Sequence, residues 1–347
     1  MITIRDVARL ASVSPATVSR FFQQPHLLSA ETRRRVEHAI DRLGYVPNAV
    51  AQTLTNRRSK QAALLVPDIA SPFYTTLISG VESVANARGY TLFLANTGES
   101  LAKEKEILRA MVAYRVAGVV LVPAAGEDHL FDVLERHDIP VVLVDREIPG
   151  AGLDVVTGDS YEGGRKLTEH LVSRGYRDIV FVGGKPDLTS LTHRLDAYRA
   201  VMQRHGLSPA AHLGSFTVAS GEELTAAMLD RGERPEAIFA ASHLVAVGVL
   251  RALRARGLRV PDDVAVVCMD NEAATLVDPF LTVAAQPTAE IGRVAMDLLL
   301  RRIQSPELPP ERVVLPVEMI IRSSCGTRRE SAPLARWAQL RAERSAG

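Results

Sequence analysis

Residues 13–20 read VSPATVSR and contain the signals that begin a short helix. Ser14 is a favourable N-cap, and Pro15 follows at the first helical position, where its missing N–H costs no hydrogen bond. Upstream, apolar side chains within residues 4–11 recur at the spacing of one helix face, after Thr3 as a second N-cap. The sequence therefore predicts two short helices joined by a tight turn.

A third helix is predicted from Ser29 to Leu43, with Gly44 as its C-cap. Two short helices backed by a third form a helix-turn-helix, whose second helix enters the major groove of DNA. The distribution of charge supports a DNA-binding role for this segment, because residues 1–60 carry a net charge of +6 and the remainder carries −5. A basic block of this kind attracts phosphates. The alternative is a three-helix protein-binding module with a basic surface.

The second predicted helix offers side chains suited to DNA. Pro15 and Ala16 would face base edges through shape and methyl contacts, while Thr17 and Ser19 could hydrogen-bond phosphates. Arg20 is long enough to donate two hydrogen bonds to guanine O6 and N7. These residue types favour a recognition helix.

Residues 45–54, YVPNAVAQTL, predict a turn and then a short helix capped by Asn48. A helix of about two turns is unstable alone, so this one should form only when a partner supports it. Leu54 lies beside Arg57 and Arg58 and suits an apolar wedge pushed between base steps from the minor groove. The alternative is a plain linker in which Leu54 has no role.

The blocks at 3–8, 13–20, 29–33 and 43–48 together resemble the headpiece of the lactose/galactose repressor family, and the resemblance covers essentially the whole chain. It implies a homodimer whose two headpieces read a roughly palindromic operator, with paired hinge helices in the minor groove. Gln52 departs from many members, which carry Arg there, so one phosphate contact is in doubt. The positions matched to DNA contacts are Thr3, Ser14, Pro15, Ala16, Thr17, Ser19, Arg20, Asn48, Ala51 and Leu54.

From residue 61 onward, short apolar runs alternate with helical patterns, which predicts parallel sheets covered by helices on both faces. About 260 residues exceed one such sheet, so two α/β lobes with a cleft at the strand ends are expected. This architecture resembles periplasmic sugar-binding proteins, as the family implies. The predicted strands are Ala63–Val66, Thr91–Ala95, Gly118–Val122, Val141–Val144, Ile179–Val182, Ala237–Ala240 and Val264–Cys268.

The expected fold is an all-α helix-turn-helix headpiece plus a two-lobed, periplasmic-binding-protein-like α/β domain of parallel sheets flanked by helices. By analogy with the family, the chain crosses between lobes near Thr157–Gly158, Gln286–Pro287 and Glu318–Met319. The expected boundaries are headpiece 1–47, hinge 48–60, effector-binding and dimerisation domain 61–326 (N-lobe 61–157 and 287–318, C-lobe 158–286 and 319–326) and tail 327–347. The tail either forms a short helix that joins dimers into tetramers or is frayed and solvated.

Polar residues at predicted strand ends suggest where a ligand binds. Asp145-Arg146 and Asp270-Asn271 each close a strand, and carboxylates with a guanidinium can grip vicinal hydroxyls. Taken singly, such charges are more often surface residues or structural ion pairs. Ser242 stands where many members have an Asn that bonds a sugar hydroxyl, so the choice of sugar is open. The positions that the resemblance matches to effector contacts are Ser71, Phe73, Tyr74, Asp145, Arg194, Phe216, Ser242 and Asp270.

The sequence also argues against other classes of protein. It contains no run of 18 apolar residues and no signal-peptide pattern at its start, which favours a cytoplasmic, nucleoid-associated protein. Cys268 and Cys325 lack metal-ligand spacing, and Gly183-Gly184-Lys185 lacks the rest of a phosphate-binding loop. No cofactor, metal or catalytic constellation is expected.

The interpretation is therefore a ligand-responsive transcriptional repressor that binds double-stranded operator DNA as a homodimer. Its effector would be a sugar, a sugar acid or a sugar phosphate, and the sequence leaves open whether this effector is an inducer or a corepressor. The alternatives are a transport-type sugar-binding protein and a sugar-modifying enzyme tethered to DNA. The predicted headpiece argues against the first, and the missing nucleophile or metal cluster argues against the second.

Overall fold

A computed structural model describes residues 2–45, 59–126, 129–271 and 280–326 of the chain. The side chains of Gln23, Asp270 and Asn271 lie outside this description. The chain divides after Ser59 into two compact units.

The first unit consists of α1 (Ile4–Ala11), α2 (Pro15–Gln23) and α3 (Ala30–Leu43). The caps lie where the sequence predicts them. The backbone N–H of Thr3 donates to the Asp6 carboxylate at 2.9 Å, and Ser14 Oγ accepts the N–H of Thr17 at 3.1 Å. Gly44 ends α3 in the left-handed conformation, with φ of 61°. Each cap satisfies backbone groups that a helix end leaves without partners.

A small apolar core holds the three helices together. Val7, Val18 and Val36, one from each helix, are fully buried, and Phe21 and Phe22 pack against them. The guanidinium of Arg35 donates to the carbonyl of Ser12 at 2.7 Å and to that of Ala11, so α3 also ties down the end of α1. The helix-turn-helix predicted from the sequence is confirmed.

The second unit contains two six-stranded sheets, each flanked by helices. In the first sheet all strand pairs are parallel, in the order β11-β5-β4-β3-β1-β2. Its strands are β1 (Gln61–Val66), β2 (Thr91–Asn96), β3 (Gly118–Leu121), β4 (Val141–Val144), β5 (Asp154–Gly158) and β11 (Arg312–Leu315). The helices of this lobe are α4 (Pro72–Ala87), α5 (Leu101–Ala113), α6 (Phe131–Arg136) and α11 (Thr288–Gln304).

The second sheet has the order β12-β10-β9-β8-β6-β7 and is parallel except for β12, which runs antiparallel to β10. Its strands are β6 (Ile179–Val182), β7 (Ala210–His212), β8 (Ala237–Ala240), β9 (Ala265–Asn271), β10 (Thr282–Gln286) and β12 (Glu318–Ile320). The helices of this lobe are α7 (Ser160–Ser173), α8 (Thr189–Arg204), α9 (Val218–Asp230) and α10 (His243–Ala255). The α/β fold predicted from alternating apolar runs is confirmed.

The chain passes between the sheets three times, after β5, after β10 and after β11. The first two passages lie at the predicted positions. The third lies at residues 316–317, because Glu318 is already part of β12 in the second sheet. Analogy with the family places it near Glu318–Met319, one to two residues later.

Helices α4 and α11 approach closely at two glycines. A Cβ on Gly80 would collide with the carbonyl oxygen of Ala289, and a Cβ on Gly292 would collide with that of Leu77. Backbone atoms cannot yield as a flexible side chain can, so each position requires a residue without a Cβ. This contact joins the first helix of the lobe to the helix that returns to it after β10.

We expect Gly80→Ala to destabilise the second unit by about 1–3 kcal/mol, because the added methyl group forces the two helices apart. The midpoint of urea unfolding, followed by circular dichroism, measures the effect. Ser79→Ala is the matched control, since Ser79 is exposed on the same helix turn. Equal midpoints for the two variants would contradict the tight crossing.

Candidate functional site

A cavity of about 340 Å³ lies at the carboxyl ends of the strands and is lined by residues of both lobes. It brings together seven of the eight residues predicted to contact an effector, and the side chain of the eighth, Asp270, lies outside the described residues. The seven are Ser71, Phe73, Tyr74, Asp145, Arg194, Phe216 and Ser242. The cavity is also lined by four residues that the sequence analysis did not match to effector contacts: Asp68, Glu99, His243 and Gln286.

A chain of polar groups, buried except for the half-buried Glu99, forms the N-lobe wall of the cavity. The hydroxyl of Tyr74 donates to Asp145 Oδ2 at 3.2 Å. The Arg146 guanidinium donates to the same hydroxyl at 3.2 Å and forms two hydrogen bonds with the Glu99 carboxylate, at 2.6 and 2.8 Å. Such a two-point contact fixes the plane of the guanidinium. The positive charge of Arg146 is therefore occupied by Glu99 rather than offered to a ligand.

The backbone at the end of β4 aims Asp145 into the cavity. Asp145 adopts a left-handed conformation, with φ of 66°, while its N–H donates to the carbonyl of Val156 at 3.0 Å. Burial raises the pKa of the Asp145 carboxyl, and the positive charges of Arg146 and Arg194 oppose this rise. Burial also raises the pKa of Tyr74, so its hydroxyl stays protonated and donates a hydrogen bond to Asp145.

Arg194 is the main cation of the C-lobe wall and is only 5% exposed. Its Nε donates to Ser160 Oγ at 3.3 Å, and its Nη1 donates to the carbonyl of Ala241 at 2.8 Å. The guanidinium lies 5.8 Å from the ring centre of Phe216. Burial lowers the pKa of Arg194, because a charged group is less stable away from water.

Ser242 lies at the N-terminus of α10, where its side chain has a structural role. Its Oγ accepts the N–H of Val245 at 3.4 Å and so caps the helix. The side chain still lines the cavity, together with His243 and Leu244 of the first turn. A serine here supplies one short hydroxyl, where the longer amide of Asn would reach further into the cavity.

A buried Glu–His pair supports the loop that contacts Arg146. Glu104, fully buried, accepts the N–H of Ala124 at 2.8 Å and contacts His129 Nδ1 at 2.7 Å. The neighbouring carbonyl of Pro123 accepts a hydrogen bond from Arg146 at 3.0 Å. Nothing in the sequence indicated this pair, because its members are far from the motif residues.

The His129 pair predicts a pH-dependent contribution to stability. Burial alone would lower the pKa of His129, but the hydrogen bond to Glu104 and its negative charge outweigh burial and raise it. A raised folded pKa gives stability that is fully present below about pH 6.5 and is lost as the pH rises through the folded value. The difference in melting temperature between wild type and His129→Gln should therefore shrink as the pH rises above about 6.5. His137→Gln, at an exposed histidine, is the control, and a pH-independent difference would contradict the prediction.

The headpiece presents most of its predicted DNA-contacting residues to solvent. Thr3, Ser14, Pro15, Ala16 and Arg20 are exposed, and Thr17 and Ser19 are half-buried. Thr17 also contacts Ser14, with 2.9 Å between the two hydroxyl oxygens. The predicted hinge residues Asn48, Ala51 and Leu54 lie outside the described residues.

Comparison with known proteins agrees with both units. Residues 3–48 match the description of bacterial regulatory proteins of the lacI family, and residues 168–325 match a periplasmic binding protein-like domain. The chain is 35% identical over 327 residues to the HTH-type transcriptional regulator RegA of Clostridium saccharobutylicum, covering 93% of this chain and 98% of that protein. The chain belongs to the lacI family of bacterial regulatory proteins.

Solved structures extend this family assignment. A Lac repressor dimer bound to operator and the anti-inducer ONPF is 28% identical, with a TM-score of 0.81, over 93% of this chain and 99% of that one. The transcriptional regulator CelR in complex with cellobiose is 33% identical, with a TM-score of 0.70, over 93% of this chain and 100% of that one.

This lacI-family protein is a transcriptional regulator and not an enzyme. A bacterial regulator that binds DNA works in the cytoplasm. Within the described residues, no helix has the length and apolar character needed to cross a bilayer, and no group of His, Cys, Asp and Glu side chains is arranged to hold a metal.

Proposed function

We propose that this regulator is a repressor that binds a palindromic operator as a homodimer and responds to a small carbohydrate-like effector. The observation that carries the proposal is the cavity between the lobes, in which Tyr74, Asp145 and Arg194 converge from opposite walls. The Lac repressor dimer bound to operator and the CelR complex with cellobiose provide parallels for both partners. The regulator would be associated with the nucleoid.

In the proposed complex, α2 lies in the major groove. Pro15 and Ala16 contact base edges, Arg20 reads guanine, and Ser14 supports the same turn. Thr3, Thr17 and Ser19 hold phosphates, which fixes the position of the helix on the duplex. The hinge residues Asn48, Ala51 and Leu54 fold in the minor groove, with Leu54 as the wedge.

The effector controls this complex through the angle between the lobes. A ligand that contacts both walls stabilises one relative position of the two sheets, because it bonds to the N-lobe and the C-lobe at once. The movement reaches the start of β1 at Gln61 and so biases the hinge segment. A coupling of about 1–3 kcal/mol changes operator affinity roughly 5- to 150-fold.

A titration of labelled operator fragments tests the proposal. Full-length protein should shift a subset of genomic fragments, and a variant lacking residues 1–59 should shift none. Addition of a sugar, a sugar acid or a sugar phosphate should then change operator affinity, with release indicating an inducer and tightening indicating a corepressor. Sequence-independent DNA binding, or operator binding that no member of the panel alters, would overturn the proposal.

A further inference from the structure

The two walls of the cavity carry opposite charges. Among the described lining residues, the N-lobe contributes three carboxylates, Asp68, Glu99 and Asp145, against one cation, Arg146. The described lining residues of the C-lobe contribute the cations Lys185 and Arg194 and no carboxylate. Apart from Asp270 of β9, whose side chain lies outside the described residues, a ligand in this cavity therefore meets negative charge on one side and positive charge on the other.

Lys185 lies in the loop that follows β6. Gly183 and Gly184 both have positive φ, 96° and 88°, which turns the chain so that Lys185 lines the cavity. Gly184 accepts a hydrogen bond from the N–H of Gly214 at 3.0 Å, so Lys185 lies beside the loop that carries Phe216. Lys185 is half-buried, and no carboxylate of the described residues lies within 4.0 Å of its ammonium group.

Arg194 likewise forms no close ion pair with a described carboxylate, although the charge of Asp145 acts on it from further away. Its described hydrogen bonds go to a hydroxyl and a carbonyl, and no described carboxylate lies within 4.0 Å of it. Helices α9 and α10 also begin at this wall, where Thr217, the N-cap of α9, and His243, the first residue of α10, are among the lining residues. Helix N-termini carry partial positive charge and favour anions.

We propose that the C-lobe wall is an anion subsite and that the effector is a sugar bearing a carboxylate or a phosphate, with Lys185 setting the preference for the charged group. The inference rests on the proposed function, because it concerns the effector of the same cavity. The anionic group pairs with Lys185 and Arg194, while sugar hydroxyls donate to Asp145 on the opposite wall.

A neutral sugar fits this arrangement less well. It would leave Lys185 without a negative partner among the described residues, and Arg194 with only the more distant charge of Asp145, in a cavity that has lost part of its water. A cation without a close negative partner is unfavourable there. Arg146 is committed to the N-lobe wall, since Glu99 holds both of its terminal nitrogens and its Nε lies 3.6 Å from Asp145 Oδ2. Of the lysine and arginine side chains that line the cavity, Lys185 is therefore half-buried and has no carboxylate partner among the described residues.

Inorganic phosphate probes the subsite without knowledge of the effector. Added to the full-length protein, it should raise the melting temperature more than sodium chloride at equal ionic strength. The shift should be lost in Lys185→Met and kept in Lys103→Met, because Lys103 is exposed on α5 and does not line the cavity. A shift that is absent in wild type, or the same in all three proteins, would overturn the anion subsite.

Calorimetry with matched sugars then separates the two sources of the anion. Ribose, ribonate and ribose 5-phosphate form one set, and glucose, gluconate and glucose 6-phosphate form another. The anionic members should bind at least about 10-fold more tightly than the neutral ones, and Lys185→Met should remove about 10- to 100-fold of that affinity. Equal affinity for neutral and anionic members would overturn the inference and leave the proposed regulator intact. A failure of the proposed function shows separately, as operator affinity that no member alters.

Discussion

Arg194→Met is expected to weaken effector binding by roughly 100-fold, because a hydrogen bond from a charged group contributes about 1.5–3 kcal/mol and the guanidinium offers more than one to a ligand. Arg194 reaches the cavity from α8 with its Nε and Nη1 already bonded to Ser160 and Ala241. Those contacts hold the side chain in one orientation before a ligand arrives, so little entropy is lost on binding.

The measurement is calorimetric titration with the tightest-binding sugar of the panel. Met fills most of the space of the Arg stem, but the variant also loses the bond to Ala241, so its melting temperature must be recorded. Ser160→Ala is the matched control, since it removes only the 3.3 Å contact to Nε and keeps the charge. Wild-type affinity in Arg194→Met would exclude Arg194 from the effector site.

The features that could be predicted from the sequence are those made by neighbours along the chain. Ser14 and Ser29 cap helices by accepting the N–H three residues later, at 3.1 and 3.2 Å, so residue type and spacing were sufficient. The strand Val141–Val144 is buried throughout, and a continuous apolar run is the signature of such a strand. The strand Ala210–His212 was not predicted, because it is only three residues long and half-buried.

The site could be predicted only in part, because its contacts join distant segments. Resemblance to the family supplied Asp145 and Arg194, whereas periodicity alone would have left both as ordinary charges. Glu99 is 47 residues from Arg146, and no local pattern connects them. Lys185 attracted notice only as part of an incomplete phosphate-binding loop. Its importance depends on the charges of the described lining residues, which are cationic on the C-lobe wall and mainly acidic on the N-lobe wall, and only the fold reveals this.

Arg20→Met is expected to lower affinity for the specific operator by about 5- to 150-fold, the effect of losing a two-point contact worth about 1–3 kcal/mol. The packing of α2 explains why Arg20 faces outward. Val18 is fully buried, and a residue two positions along a helix lies roughly 200° around the axis. Ala16 and Arg20 therefore project away from the headpiece core, and both are exposed.

The salt dependence of binding separates base reading from charge. A residue that contacts a base should leave the slope of log K against log salt nearly unchanged, while loss of a phosphate contact lowers the slope by about 1. Arg42→Met removes the same charge from the last turn of α3 and is the matched control. If both variants lose affinity equally for operator and for unrelated DNA, Arg20 contributes charge alone. If only Arg20→Met loses the preference for operator over unrelated DNA, Arg20 reads a base, because both variants carry the same net charge.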